Sequence, residues 1–220
     1  MHTTAKKSAA TILLLAATSL GVTAVSATTS SSAPATAATT SEHTALTPEQ
    51  QQIVQAHALA QNGRQALSYI VAARQLLSEQ HGDEAHQYLE QAKELLTKLE
   101  SDIIAEDNNT SDLLPIYTQL GVDEEVVITD QIKQQLGKTH LDAISGNHKK
   151  VVTALKTVAI ELQYSYVDMP VTATLEKVES ALTSLSEKNI QQASQALTAA
   201  QDGLIHESII INGESDNPAG

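Results

Sequence analysis

The chain has 220 residues, with 13 Lys and Arg against 26 Asp and Glu, a formal charge of −13 with histidine neutral. It has no cysteine, which excludes disulfides, thiolate zinc sites, cysteine nucleophiles and a lipidated N-terminal cysteine. Phe and Trp are also absent, so an acidic chain with no stacking platforms beyond five tyrosines is poorly suited to nucleic acid, whose phosphates need clustered Lys and Arg. A hydrophobic content of 41% is enough for a core, which must be built from Leu, Ile, Val and Ala.

The N-terminus reads as an address. Lys6 and Lys7 precede an apolar stretch that starts at Thr11-Ile12-Leu13-Leu14-Leu15 and runs, diluted by Ser and Thr, to Val25. Val25-Ser26-Ala27 places small residues at −3 and −1, which predicts a secretory signal peptide over residues 1–27, cut after Ala27. An uncleaved anchor is the competing reading; the moderate apolarity and the cleavage site favour removal. Loss of residues 1–27 leaves a formal charge of −15 and no second apolar run of spanning length, so no stable membrane insertion is expected after cleavage. Residues 28–45, mostly Ser, Thr and Ala, cannot bury a core and read as a flexible lead-in.

The folded domain is expected over residues 46–211. Thr47-Pro48-Glu49-Gln50 sets an N-cap, a proline at N1, an acid in the first turn and a glutamine at N3. Apolar residues then recur at helical spacing from Ile53 to Leu77. Asn62-Gly63 either breaks this helix or marks a close-packing point; one long helix to about Gln80 is the preferred reading.

An internal repeat is the strongest pattern. Ile70, Ala73, Leu77, Ala85, Leu89, Ala92 and Leu96 reappear as Leu136, Thr139, Ala143, Val151, Leu155, Val158 and Leu162. They return again as Val178, Ala181, Leu185, Ala193, Leu197, Ala200 and Leu204, with Thr139 the one polar exception. The 3–4 spacing gives one buried face on each side of a turn, and His81-Gly82-Asp83, Gly146-Asn147 and Lys188-Asn189 fall where those turns must lie. The spacing between copies is not a fixed period, which sets the pattern apart from tetratricopeptide arrays and favours simple antiparallel helix pairing. The predicted fold class is therefore mainly α: a bundle of three helical hairpins with a small accessory antiparallel β-sheet. The sheet is expected from Leu113–Thr118, Glu125–Ile128 and Ser208–Ile211, which are short and β-branched. Val167-Asp168-Met169-Pro170 is expected to end the fourth helix, because a residue before proline is pushed out of the α region. Residues 212–220 read as a loose tail.

These pieces, in this order, resemble the YfdX family of secreted bacterial proteins. The resemblance rests on Ala72-Ala73-Arg74 before a turn and Asp83-Glu84-Ala85, then Leu114-Pro115-Ile116 in a non-helical insert. Asn147-His148-Lys149-Lys150 at the next turn, the Val167-Asp168-Met169-Pro170 break and a final hairpin through Ala193-Ser194-Gln195-Ala196-Leu197 complete it, over about residues 50–210. The resemblance implies a periplasmic, largely helical protein that self-associates, with links to acid and drug stress and chaperone-like behaviour. The family carries no catalytic motif.

Candidate chemistry is sparse. The pH-responsive candidates are His57, His81, His86, His140 and His148, since histidine gains charge between pH 5 and 8. None has the i, i+4 spacing of a zinc helix, so exposed helix-end histidines are the plain alternative, and no metal or cofactor is expected. Asp123-Glu124-Glu125 reads as edge-protecting charge. Tyr164, Tyr166, Met169 and Pro170 are read either as packing around the helix break or as the wall of a groove. The sequence thus favours a non-enzymatic periplasmic protein that binds itself and unfolded or acid-stressed periplasmic proteins through a helical surface. A carrier for a small apolar molecule is the alternative, separated by whether a closed apolar pocket exists.

Overall fold

The computed structural model describes residues 9–12, 46–106, 112–123 and 126–213. A first strand, β1 (Ala9–Ile12), is followed by two long helices, α1 (Pro48–Ser78) and α2 (Gly82–Glu106). Strand β2 (Leu113–Asp123) leads into three short helices, α3 (Asp130–Lys138), α4 (His140–Ile144) and α5 (His148–Leu155). Strand β3 (Leu162–Pro170), helices α6 (Val171–Ser186) and α7 (Ile190–Asp202), and strand β4 (Ile205–Ile211) complete the chain. The fold is mainly α with a small antiparallel sheet, in the order β1-β2-β3-β4. The expected cleavage point Ala27, the lead-in and residues 214–220 lie outside the described residues. Ala9–Ile12, within the expected signal peptide, pairs antiparallel with β2 from Ala9↔Asp123 to Ile12↔Leu120.

α1 starts where its capping box places it. Gln50 donates its backbone N–H to Thr47 Oγ1 at 3.2 Å, and the Thr47 N–H is given to Gln50 Oε1 at 2.9 Å. The helix runs unbroken through Gly63, which is a packing point. A Cβ there would meet Ile116 Cγ2 at 2.7 Å and Leu114 Cδ2 at 2.8 Å. A bulge between Pro115 and Tyr117 turns Ile116 onto α1, and the Ile116 carbonyl accepts Arg64 Nη1 at 2.8 Å. Gly63→Ala gains about 1 kcal/mol of helix propensity but overpacks this contact, which costs about 1–3 kcal/mol. Nothing lies within 4 Å of a Cβ at Gly137 in α3. Urea denaturation should therefore show Gly63→Ala destabilised and Gly137→Ala stabilised; equal effects of the same sign would refute the packing role.

The repeat is real to the level of the backbone. Each hairpin turns through a left-handed residue, Gln80 (φ 65), Gly146 (φ 76) and Lys188 (φ 61). In each, the next N–H reaches back to an equivalent carbonyl: His81 to Leu76 at 2.9 Å, Asn147 to Asp142 at 2.8 Å and Asn189 to Ser184 at 2.8 Å. These are three copies of the Schellman closure. Of the repeat positions, Leu185 and Leu204 are half-buried against the core and every other one is buried. Thr139 resolves its polarity internally, its hydroxyl donating to the Leu136 carbonyl at 2.8 Å.

The α1/α2 and α6/α7 hairpins pack together around one core, which includes Ile70, Leu89, Leu96, Val178 and Leu197. The middle copy departs from the expected hairpin. Its helices are short and pack on the sheet around a second core of Val151, Leu155, Val158, Leu162 and Tyr164. Two expectations are corrected here. The fourth helix does not continue to Pro170: it ends at Leu155, and Leu162–Pro170 is a strand paired on both sides, to β2 and β4. Pro170 instead precedes α6 as its N-cap residue. Val126–Ile128 is not a strand, and Val127 is 81% exposed. Its β-branched residues have no free edge of β2 to join, because β3 already holds β2 on one side and β1 on the other.

Candidate functional site

Strand geometry builds the main polar cluster. Successive side chains on a strand alternate faces, so Leu162, Tyr164, Tyr166 and Asp168 of β3 share one. That face turns toward the first residue of α5, His148. His148 Nε2 lies 3.0 Å from both Asp168 carboxylate oxygens, and its Nδ1 lies 2.8 Å from the Tyr164 hydroxyl. The imidazole stacks on Tyr166 with ring centroids 3.6 Å apart and planes 9° from parallel. The side chains of His148 and Asp168 are only 11% and 6% exposed.

With Nε2 on a carboxylate, the Nε2–H donates to Asp168. Burial, then Asp168 and then Tyr166 push the Tyr164 phenol well above its ordinary value. Tyr166 is raised by burial, then by Glu207 and Asp168. Both therefore remain protonated phenols, and neither tyrosine is activated as a nucleophile.

A second pair lies where α1 meets α4. His57, half-buried on α1, sits 5.4 Å ring to ring from His140 on α4. His140 is 9% exposed, and among the described residues its Nε2 is the one buried side-chain nitrogen or oxygen without a hydrogen-bond partner. Burial, and then the nearby His57, lower the His140 pKa from 6.5. His140 also lines a recess of about 20 Å³ between the short helices and the sheet, with Thr118, Gln119, Tyr164 and Leu155 among its other walls.

The remaining candidates scatter. His81 is exposed at its turn and 3.0 Å from Glu84; His86 is exposed on α2, 3.9 Å from Glu90. His206, outside the candidate set, is exposed on β4. Tyr164 is buried against His148 and does not face solvent, Tyr166 is half-buried, and Met169 is fully buried in the main core. In the sequence Asp168 stands out only as part of a helix break. The available signal is the alternation Leu162, Tyr164, Tyr166, Asp168, which fits a strand as well as it fits a helix end. Among the described residues no group of three His, Cys, Asp or Glu could hold a metal ion. Among them, too, no helix is long and apolar enough to cross a membrane.

The family model described as YfdX protein matches residues 66–209, from the middle of α1 into β4. The chain belongs to the YfdX family. The match takes in the three turns, both histidines of the buried sites on α4 and α5, and all of β3, while His57 lies outside it. Among solved structures, this YfdX-family chain is similar to YfdX of Salmonella Typhi, at 22% identity and a TM-score of 0.45. That likeness covers 68% of this chain and 90% of the other. No curated protein matches.

Proposed function

We propose that this YfdX-family chain is a non-enzymatic, periplasmic, stress-associated protein. In this reading it binds itself and unfolded or acid-stressed proteins, chaperone-like, through its helical surface. Acid acts through the histidines that the fold buries. The observation that carries the reading is the His57–His140 pair between α1 and α4. The N-terminal signal pattern supports the location.

The titratable groups facing His140 are His57 from α1 and, across the recess, Tyr164 from β3. Among the described residues, no carboxylate lines that recess to balance a second positive charge. The folded state holds His140 below 6.5, so the unfolded chain takes up this proton first as pH falls. The contribution to stability is whole above that value and is lost below it, until the folded site protonates as well. Protonated, the two imidazoles repel across the α1–α4 contact. A carrier role for an apolar molecule is less well supported. The recess of about 20 Å³ is far below the roughly 300–1,000 Å³ of ligand pockets.

Light scattering and suppression of client aggregation, followed from about pH 7 to about pH 4, test the reading. The parent should change assembly reversibly and protect its client over the same range. His57→Gln and His140→Gln should each move both transitions to lower pH, whereas His81→Gln, on an exposed turn, should leave them in place. Irreversible precipitation without protection, or transitions indifferent to His57 and His140, would sink it.

A further inference from the structure

We infer that Asn212-Gly213 is a deamidation site held shut by the fold, and that conversion of Asn212 to aspartate or isoaspartate unfastens the end of β4 from the end of α5.

The fastening comes first. The sequence places Asn212 at the start of a loose tail, but its side chain is anchored. It follows the last residue of β4 and stands at φ 61, a left-handed conformation that asparagine tolerates better than most residues. Its Nδ2 donates to the carbonyls of Val158 at 2.5 Å, Ile160 at 3.2 Å and Leu155 at 3.4 Å. Carbonyls only accept, so the amide nitrogen and not its oxygen must face them. Leu155 is the last residue of α5, so this carboxamide caps the region where the helix runs out of its own N–H partners. The preceding Ile211 is 2% exposed and lies in the second core with Leu155 and Val158. One side chain thus closes that core at the end of β4.

The chemistry comes second. Glycine has no side chain to shield its own nitrogen, so Gly213 N reaches the Asn212 side chain with the least hindrance any residue allows. The Gly213 nitrogen attacks Asn212 Cγ, the N–Cγ bond forms, the Cγ–Nδ2 bond breaks, and ammonia leaves with the proton of the Gly213 amide. Water then opens the cyclic imide at either carbonyl and leaves aspartate or isoaspartate. The glycine is fixed by packing, since a Cβ there would lie 2.6 Å from Ile210 Cγ2 and 3.2 Å from Glu161 Cδ. The fold opposes the reaction. Nδ2 leaves only after it gains a proton, and it faces three oxygens that accept and cannot donate. Attack therefore waits until the end of β4 opens and frees the carboxamide. The change is then one-way. The product's carboxylate would face the same carbonyls, acceptor against acceptor, and the tie cannot re-form. Asn62-Gly63 supplies an internal comparison, being the same dipeptide inside α1 with its glycine buried. None of this depends on whether the protein responds to acid.

Peptide mass spectrometry of the full chain, aged at mildly alkaline pH with and without urea, tests it. In urea Asn212 and Asn62 should deamidate at similar rates. In the folded chain Asn212 should react more slowly than in urea by roughly tenfold or more, the scale set by the hydrogen bonds that must break. Asn62 should be slower still, because turns of α1 must unwind before it can react. Two variants test the unfastening. Asn212→Asp is one of the products, and Asn212→Gly removes the side chain while keeping the left-handed backbone inexpensive. In both, amide exchange should quicken by about tenfold at Val158 and Ile160, whose N–H groups bond the Leu155 and Val158 carbonyls. An unreactive Asn212 in urea beside a reactive Asn62 would overturn the site. Equal rates at Asn212 with and without urea would overturn its protection, and Asn62 reacting first in the folded chain would overturn local opening at β4. Parent-like exchange at Val158 and Ile160 in Asn212→Asp would overturn the unfastening. Should Asn212→Asp fail to fold, parent-like exchange in Asn212→Gly decides in its place.

Discussion

An aspartate at Leu89, Leu155 or Leu197 should unfold the protein. Leu89 and Leu197 are 0% exposed and Leu155 is 1% exposed. They occupy the same position in the three copies of the repeat, four residues after Ala85, Val151 and Ala193. Two effects add at each site. The leucine side chain withdraws about 2–5 kcal/mol of packing when truncated. The new carboxylate must then remain charged without a partner or take up a proton, and either costs several kcal/mol. The sum is comparable to the whole stability of an ordinary domain, about 5–15 kcal/mol. Leu89 and Leu197 lie in the main core, while Leu155 lies in the second core beneath the sheet. If the two cores unfold as one unit, far-UV circular dichroism collapses in all three variants. If the second core is separable, Leu155→Asp keeps most of its helical signal while the other two lose it. Parent-like melting of all three would refute the repeat as the organising feature of the core.

The repeat is legible because burial and turn position are local consequences of spacing. A residue four after another lies on the same helical face wherever the helix sits, and the Gly146-Asn147 and Lys188-Asn189 pairs mark their turns in the sequence itself. The left-handed residue at the first turn is Gln80 and not glycine, so register supports that turn where the left-handed residue itself gives no signal. β3 is not legible for a definite reason. Leu155, Val158 and Leu162 continue the 3–4 spacing of a helix, while Leu162, Tyr164, Tyr166 and Asp168 begin the alternation of a strand. The tie is broken by β2 and β4, which pair on either side and are remote in sequence. The opposite error at Val126–Ile128 has the same origin: β-branched residues favour a strand only where an edge is open to them. The site follows this division. His148 and Tyr164 both stand out in the sequence, but a helix through residue 164 gives no reason for Tyr164, Tyr166 and Asp168 to meet a histidine at the start of α5. The His57–His140 pair depends on how α4 docks against α1, which no periodicity encodes.

His148→Ala should be the most damaging substitution in the polar cluster. It removes the partner of Asp168, whose side chain is 6% exposed, and leaves a carboxylate that water cannot reach freely. Breaking a buried pair in this way typically costs about 3–5 kcal/mol. Loss of the stacked contact with Tyr166 adds about 0.5–1.5 kcal/mol. The reverse change, Asp168→Ala, should cost less, because a neutral imidazole leaves no buried charge behind and can keep the Tyr164 hydroxyl at Nδ1. Asp168→Asn should cost least, since its amide oxygen can still accept the Nε2–H. The double variant His148→Phe/Asp168→Leu separates pairing from packing: replacing both partners by apolar groups of similar size removes the penalty of leaving either one alone. Urea denaturation at neutral pH gives the four values, and the double variant should recover much of what His148→Ala loses. In the alanine cycle completed by His148→Ala/Asp168→Ala, a coupling of about 0.5–3 kcal/mol between the two positions is expected for groups in direct contact. Simple additivity, or a His148→Ala variant as stable as its parent, would mean that Asp168 does not depend on His148, and the cluster would then be a surface arrangement with no hold on the fold.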